Sequence, residues 1–155
     1  MDISNKEKDS LLAIQKSETL WPIDCDIEAQ EVTTSKWATI QWQLNGFRLS
    51  DNKNNTALLE LHRDERTDYR FNLSSQNPKL FVILDNLDSD EQPNIVALTA
   101  SQSIAGQYMD GDYLVLSNDM PLPVQAWMEA FIGRNGELIE QRRKKRKGAG
   151  RSSGK

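Results

Sequence analysis

Cysteine is nearly absent from this chain of 155 residues, which contains one cysteine, Cys25, and one histidine, His62. A single cysteine excludes a disulfide within the chain and a zinc site built from several thiolates. Such low cysteine content is typical of a reducing compartment, so we expect a cytoplasmic protein. One histidine and one cysteine do not complete a typical nitrogen- and sulfur-ligated site, and we predict no metal site and no cofactor.

Long apolar segments are missing as well. The longest uninterrupted apolar run, residues 80–84, has five residues, whereas a membrane-spanning helix needs about 18 or more. Residues 1–18 mix lysines with acids and contain no apolar core of signal-peptide length. We therefore expect neither secretion nor membrane insertion. The glycine-rich loops that cradle phosphates are also absent, so no pattern supports nucleotide binding.

Charge is divided unevenly along the chain. The formal net charge is −4, but residues 142–155 carry eight of the 19 bases and no acid, which leaves 11 bases against 23 acids, or −12, for residues 1–141. Such asymmetry usually indicates an interaction tail. We predict a flexible lead-in over residues 1–18, one globular domain over residues 19–136 and a disordered basic tail over residues 137–155.

Alternation of apolar and polar residues predicts strands in the first half of the domain. Residues 21–27 and 38–44 give the first two strands, separated by a polar connection at residues 31–36. Asn45-Gly46 is a turn dipeptide. Residues 57–63 predict a third strand.

A hairpin is predicted in the middle of the chain. Residues 64–68 form a charged turn, and Tyr69, Phe71 and Leu73 repeat every second residue as a fourth strand paired with the third. Residues 80–84 are apolar on both faces, which indicates a central fifth strand.

The second half of the domain adds two more strands and the helices. Residues 95–99 and 113–116 predict the sixth and seventh strands, and Ser101 is a plausible N-cap for a short helix through Tyr108. The strongest helical period belongs to Val124, Trp127, Met128, Phe131 and Ile132. The predicted fold is α+β, a mainly antiparallel sheet or partly closed barrel of six to seven strands with a C-terminal helix.

His62 is the only side chain whose ordinary pKa lies near neutrality, and Glu60 lies two residues before it on the same predicted strand. The pair suggests a general base, but a nucleophile would have to arrive from elsewhere in the fold. The candidates for that nucleophile are Cys25, Ser74, Ser75 and Ser101. A histidine that hydrogen-bonds a backbone carbonyl or Glu60 is the favoured interpretation, and we assign no catalytic residue.

Binding residues are easier to propose than catalytic ones. Glu60, His62, Arg70 and Asn72 can face one way across the predicted hairpin, which makes this polar row a candidate recognition surface. Trp37 follows a polar loop out of phase with its strand and is a candidate surface anchor, whereas Trp42 and Trp127 fall on core faces.

The basic cluster in the tail is a further candidate binding segment. It could contact nucleic-acid phosphates, dock on an acidic protein or serve only as a solubilising end. No aromatic residue is interleaved for base stacking, and the acidic domain would repel a polyanion, so nucleic acid is the less favoured partner. The cluster comprises Arg142, Arg143, Lys144, Lys145, Arg146 and Lys147.

The chain resembles a bacterial family known by a provisional label, the domain-of-unknown-function family 3305. The resemblance runs from about Ile27 to Lys147. Its ordered matches are Trp37 and Trp42, Glu60-Leu61-His62-Arg63, Glu65, Tyr69-Arg70, Asn72-Leu73-Ser74-Ser75, Pro78 before residues 80–84, Thr99-Ala100-Ser101, Tyr108, Met120-Pro121, Trp127, Phe131 and the basic cluster.

The resemblance implies a role as well as a family. Members are small cytosolic proteins often encoded near formate dehydrogenase, which implies an accessory role in that system. This chain departs from the family pattern at Arg66, where a threonine usually follows the glutamate, at Ile104, where an acid is common, and near Asn135, where a histidine is frequent. A binding surface tolerates such changes better than a catalytic site.

We therefore expect a non-enzymatic accessory or assembly protein that binds a formate dehydrogenase subunit or maturation factor. Two alternatives from other classes remain open at this point. One is a nucleic-acid-associated protein that uses the basic tail, and the other is a small enzyme centred on His62.

Overall fold

A computed structural model describes residues 15–34, 36–49, 55–85 and 92–135. The predicted basic tail, most of the predicted lead-in and all of the acidic segment at residues 86–91 therefore lie outside the described residues. The described strands are β1 (Leu20–Thr34), β2 (Trp37–Arg48), β3 (Thr56–Glu60), β4 (Lys79–Asp85), β5 (Asn94–Thr99) and β6 (Leu114–Asp119). The helices are a 3₁₀ turn (Arg63–Glu65), α1 (Arg66–Leu73), α2 (Gln102–Gln107) and α3 over residues 122–135.

The six strands form one sheet in the order β2-β1-β3-β5-β4-β6. All neighbouring strands are antiparallel except β3 and β5, which are parallel. The Asn118 side-chain amide on β6 donates to the Leu44 carbonyl on β2 at 2.8 Å, so the two edges of the sheet approach each other. The sheet is nearly closed into a barrel, which confirms the predicted α+β class and the mainly antiparallel, partly closed sheet, with one parallel pair between β3 and β5.

The core lies between the inner face of this sheet and α3. Residues 80–84 of β4 contribute four side chains with no exposed surface, which confirms a central strand. On α3 the predicted apolar stripe is buried at every position, because a 3.6-residue period places Val124, Trp127, Met128, Phe131 and Ile132 on one face. Trp127 packs edge-to-face on Trp21 of β1, with ring centroids 5.2 Å apart.

The predicted fourth strand is wrong. Residues 66–73 form α1, in which Tyr69 is 1% exposed and Phe71 is 77% exposed. Two residues of one strand face would be buried together, whereas neighbours two apart on a helix lie about 200° apart around its axis. Tyr69 is fixed in the core against Phe131 of α3, and that tertiary contact selects the helix.

Three smaller predictions near β1–β3 are also wrong. Residues 31–34 are not a polar connection but the end of β1, and β2 begins at Trp37. Asn45-Gly46 is not a turn, because the register passes from Asp26 opposite Gly46 to Ile27 opposite Leu44 and leaves Asn45 as the extra residue of a β-bulge. Residues 61–63 leave the sheet after β3 ends at Glu60.

No helix within the described residues has the length and apolar character needed to cross a membrane.

Candidate functional site

The predicted polar recognition row is dispersed by the fold. Glu60 is exposed at the end of β3, His62 is exposed in the segment that follows, and Arg70 is exposed on α1. Asn72 turns away from them into the structure. The row depended on a hairpin between the third and fourth strands, and it is lost because residues 66–73 are helical.

Asn72 joins α1 to the start of β4 and to the end of β5. Its side-chain amide donates to the carbonyls of Lys79 at 2.7 Å and Ala100 at 2.9 Å, and its side-chain oxygen accepts from the Lys79 backbone N–H at 2.9 Å. These bonds satisfy three backbone groups, two at the start of β4 and one just after the end of β5. The geometry therefore gives Asn72 a structural task.

His62 is held by its backbone rather than by its side chain. Its N–H donates to the Tyr69 hydroxyl at 3.0 Å, and that hydroxyl donates to Glu65 at 2.8 Å. Burial raises the pKa of Tyr69, so this hydroxyl keeps its proton. Among the described residues, no hydrogen bond joins the imidazole to Glu60 or to a backbone carbonyl, contrary to the favoured interpretation of the sequence.

The fold does not bring the candidate nucleophiles into hydrogen-bonding contact with His62 within the described residues. Cys25 is buried in the core, where burial raises the pKa of its thiol to about 12 and the nearby Asp24 carboxylate adds to the shift. Ser101 donates to Asp68 and caps α2 through Ile104 N–H at 3.1 Å, which confirms the predicted N-cap. Ser75 donates to the Asn72 carbonyl at 2.6 Å. Ser74 is exposed at the C-terminal end of α1. None of these four groups is hydrogen-bonded to His62 in the part of the chain that the structure describes.

His62 does line an open cleft of about 630 Å³. Three segments form its walls: residues 18–19 before β1, residues 61–64 after β3, and the C-terminal part of α3. A volume of this size lies within the range of small-molecule sites. The lining residues are Glu18, Thr19, Leu61, His62, Arg63, Asp64, Phe131, Arg134 and Asn135.

Hydrogen bonds connect the three walls in pairs. The Leu61 N–H donates to the Thr19 carbonyl at 2.8 Å, and Arg134 donates to the Glu18 carbonyl at 3.2 Å. The buried Arg66 guanidinium donates to the carbonyls of Arg63 and Asn135 and so joins the remaining pair. The cleft is therefore a preformed feature of the fold.

A second exposed feature is the arm, the two-stranded extension made by residues 28–34 of β1 and residues 37–43 of β2. Most of its residues are exposed, and in the described residues β2 pairs only with β1 along this stretch. Backbone groups on the outer edge of β2 are therefore open to another strand. The sequence predicted only the β2 half of the arm as a strand, at residues 38–44, and assigned residues 31–36 of its other half to a polar connection.

The two faces of the arm both carry apolar groups. Ala38, Ile40 and Trp42 share the face of the buried Leu44, since side chains alternate along a strand. Leu44 is covered and Trp42 is partly covered, but Ile40 is 55% exposed. Trp37 lies on the opposite face with 72% of its surface exposed. The apolar stripe of the sequence thus continues beyond the core that it was predicted to join.

Other predicted binding residues lie outside the site. The six basic residues 142–147 lie outside the described residues. Within the described ranges, no three histidine, cysteine, aspartate or glutamate side chains come together in a way that could hold a metal ion.

Comparison with known proteins identifies a family. The model of a family described as "Protein of unknown function (DUF3305)" matches residues 26–147. A search of curated proteins and a search of solved structures gave no significant match.

Proposed function

Because the chain belongs to the family of unknown function DUF3305, we propose for it the role that the family resemblance implies, that of a non-enzymatic accessory protein. It acts in the cytoplasm by binding a subunit or a maturation factor of formate dehydrogenase. The observation that carries binding as the mode of action is the uncovered apolar surface of the arm, with Trp37 72% exposed.

The arm has the properties of a docking element. Tryptophan is among the residues that most often dominate the energy of protein interfaces, because its large rigid surface is desolvated on binding. An open strand edge adds main-chain hydrogen bonds to any extended segment laid beside it. The partner should therefore present an extended segment that pairs with the outer edge of β2 and an apolar pocket that receives Trp37.

The choice of formate dehydrogenase comes from the family resemblance, and binding comes from the arm. The single buried cysteine agrees with a reducing compartment. The two parts of the proposal are tested separately. One experiment identifies the binding partner, and the other locates the surface of this protein that binds it.

Co-purification from native cells tests the partner. We expect formate dehydrogenase subunits or their maturation factors among the retained proteins, and calorimetry with the purified apo-subunit should then give a saturable binding curve. Repeated recovery of the protein without any of these components would contradict the assignment of the partner.

Substitution of Trp37 tests the surface. Trp37→Ala should weaken binding to the apo-subunit at least about 30-fold, the effect of losing an interface residue worth about 2 kcal/mol. Phe71→Ala is a matched control, because Phe71 is 77% exposed on α1 and does not belong to the arm. Equal affinities of the wild type and Trp37→Ala would refute docking through the arm even if the partner is right.

A further inference from the structure

The cleft beside His62 contains two nitrogen-bearing side chains, those of Arg63 and His62, that have no partner among the described residues. The Arg63 guanidinium and the His62 imidazole make no hydrogen bond or ion pair with any described residue, although the backbones of both are fixed. Arg134 differs from them because it pairs with Glu18 at 3.4 Å. Arg63 is therefore a charged donor at the cleft that is available to a ligand.

The floor of the cleft is apolar. Leu61 is 4% exposed and Phe131 is 1% exposed, so each presents a small surface to the cleft and the rest to the core. An apolar floor under a polar rim is the usual composition of a small-molecule site. The occupant should combine an apolar body with a polar group that reaches the rim.

The charge near the cleft differs from that of the domain. Its lining contains the bases Arg63 and Arg134 and the acids Glu18 and Asp64, and the buried Arg66 lies directly behind it. The four charged residues of the lining balance to zero, whereas residues 1–141 carry −12. A neutral lining in an acidic domain repels an anion less than the rest of the surface does.

Arg66 also prepares the cleft for a ligand. By donating to the carbonyls of Arg63 and Asn135, it fixes the backbone of one wall relative to the other. A guanidinium is suited to this bridge because its N–H donors are held in one rigid plane. Fixed walls reduce the ordering cost that binding would otherwise include.

We propose that this cleft binds a small organic oxyanion, a carboxylate or a phosphate monoester carried on an aromatic or aliphatic body. Arg63 donates to the oxyanion in a charge-assisted hydrogen bond, and His62 donates a ring N–H to the same group. The apolar body covers the small exposed parts of Leu61 and Phe131. This site is separate from the arm and does not depend on the proposed protein partner.

Titration of the full chain with small probes, followed through the ring protons of the single histidine by NMR, tests the proposal. Benzoate and phenyl phosphate represent the two oxyanions, and benzyl alcohol is the neutral probe of similar body. We expect saturable shifts of the His62 signals at millimolar concentrations for at least one oxyanion and weaker binding of benzyl alcohol by tenfold or more. The better oxyanion identifies the preferred ligand chemistry. No saturable shift with either oxyanion, or equal binding of benzyl alcohol, would overturn the proposal.

Two arginine variants locate the binding. Arg63→Gln keeps a polar side chain of similar length and should weaken oxyanion binding at least tenfold, the loss expected for one charge-assisted hydrogen bond. Arg70→Gln is the matched control, because Arg70 is exposed on α1 and does not line the cleft. Both variants should keep the circular dichroism spectrum of the wild type. An equal effect of the two substitutions would show that net charge, not this cleft, attracts the anion, and would refute the site.

Discussion

At the scale of single residues, Asp68 is the carboxylate whose hydrogen bonds connect two helices. Its Oδ2 accepts from the Ser101 hydroxyl at 2.5 Å and from the Ser103 N–H at 3.3 Å. These bonds, that of Ser101 first, lower the pKa of Asp68 because they favour the charged form. The same serine hydroxyl accepts from Ile104 N–H, so one short chain of hydrogen bonds links α1 to the start of α2.

Asp68 should make stability depend on acid pH. A carboxyl whose pKa is lowered by folding stabilises the native state fully above its unfolded pKa, and this contribution is lost as pH falls through the folded pKa. Asp68→Asn should therefore be less stable than the wild type by a constant amount above about pH 5, and the difference should shrink below about pH 4. Urea unfolding of both proteins at several pH values measures this difference in the free energy of unfolding. A difference that stays constant down to pH 2 would show that the charge of Asp68 is not involved.

At the scale of elements, α1 is the segment for which the sequence predicted a strand and the structure shows a helix. Tyr69 is 1% exposed and Phe71 is 77% exposed. Tyr69→Ala should lower the free energy of unfolding by about 3–5 kcal/mol, the usual cost of deleting a buried aromatic side chain. Phe71→Ala should change it by less than about 0.5 kcal/mol, as is usual for an exposed site.

The comparison of these two variants separates a helix from a strand. A strand with Tyr69 and Phe71 on one buried face would give similar large losses for both alanines. Chemical denaturation at one pH is sufficient, and a loss of more than about 2 kcal/mol in Phe71→Ala would contradict the helical assignment.

Elements with strong local periodicity could be predicted from the sequence, and those chosen by tertiary contacts could not. The stripe of α3, the cap at Ser101 and the apolar run of β4 each contain enough signal by themselves. Residues 66–73 carry two competing periods. Tyr69, Phe71 and Leu73 repeat every second residue, whereas Arg66, Tyr69 and Leu73 repeat every third or fourth. The helical period was hidden because its first member, Arg66, is a buried arginine, a residue type that is rarely expected in a core.

The candidate sites were harder to predict than the elements. The arm could be predicted in part, because Trp37 is out of phase with its strand. The exposure of Ile40 could not, because it depends on where the core ends. The cleft joins three segments that are distant in sequence, residues 18–19, 61–64 and 131–135, and the cross-link between two of them is made by Arg66. No local pattern contains that arrangement, so only the fold brings His62 and Arg63 over Phe131.

At the scale of the whole molecule, the sheet is nearly closed, and Asn118 is one of the groups that connect its two ends. Its amide on β6 donates to the Leu44 carbonyl on β2 at 2.8 Å, next to the point where the arm leaves the core. Closure protects the inner part of β2 while residues 37–43 remain open. Asn118 therefore lies at the boundary between the sheet that is part of the core and the arm.

Asn118→Ala should weaken this closure. Alanine removes this half-buried hydrogen bond and the exposed one that the Asn118 side-chain oxygen accepts from the Asp119 N–H at 2.7 Å, which should lower the free energy of unfolding by about 1–2 kcal/mol. The change should also be local, because β2 and β6 are the ends of the sheet order whereas β5 lies inside it. Hydrogen exchange should accelerate more at the amides of β6 and of the inner part of β2 than at those of β5.

Ser117→Ala is the matched control on the neighbouring, exposed position of β6. If both variants exchange alike, the contact between Asn118 and Leu44 does not hold the barrel closed, and the boundary between core and arm must be set by the packing of Trp42 and Leu44 instead.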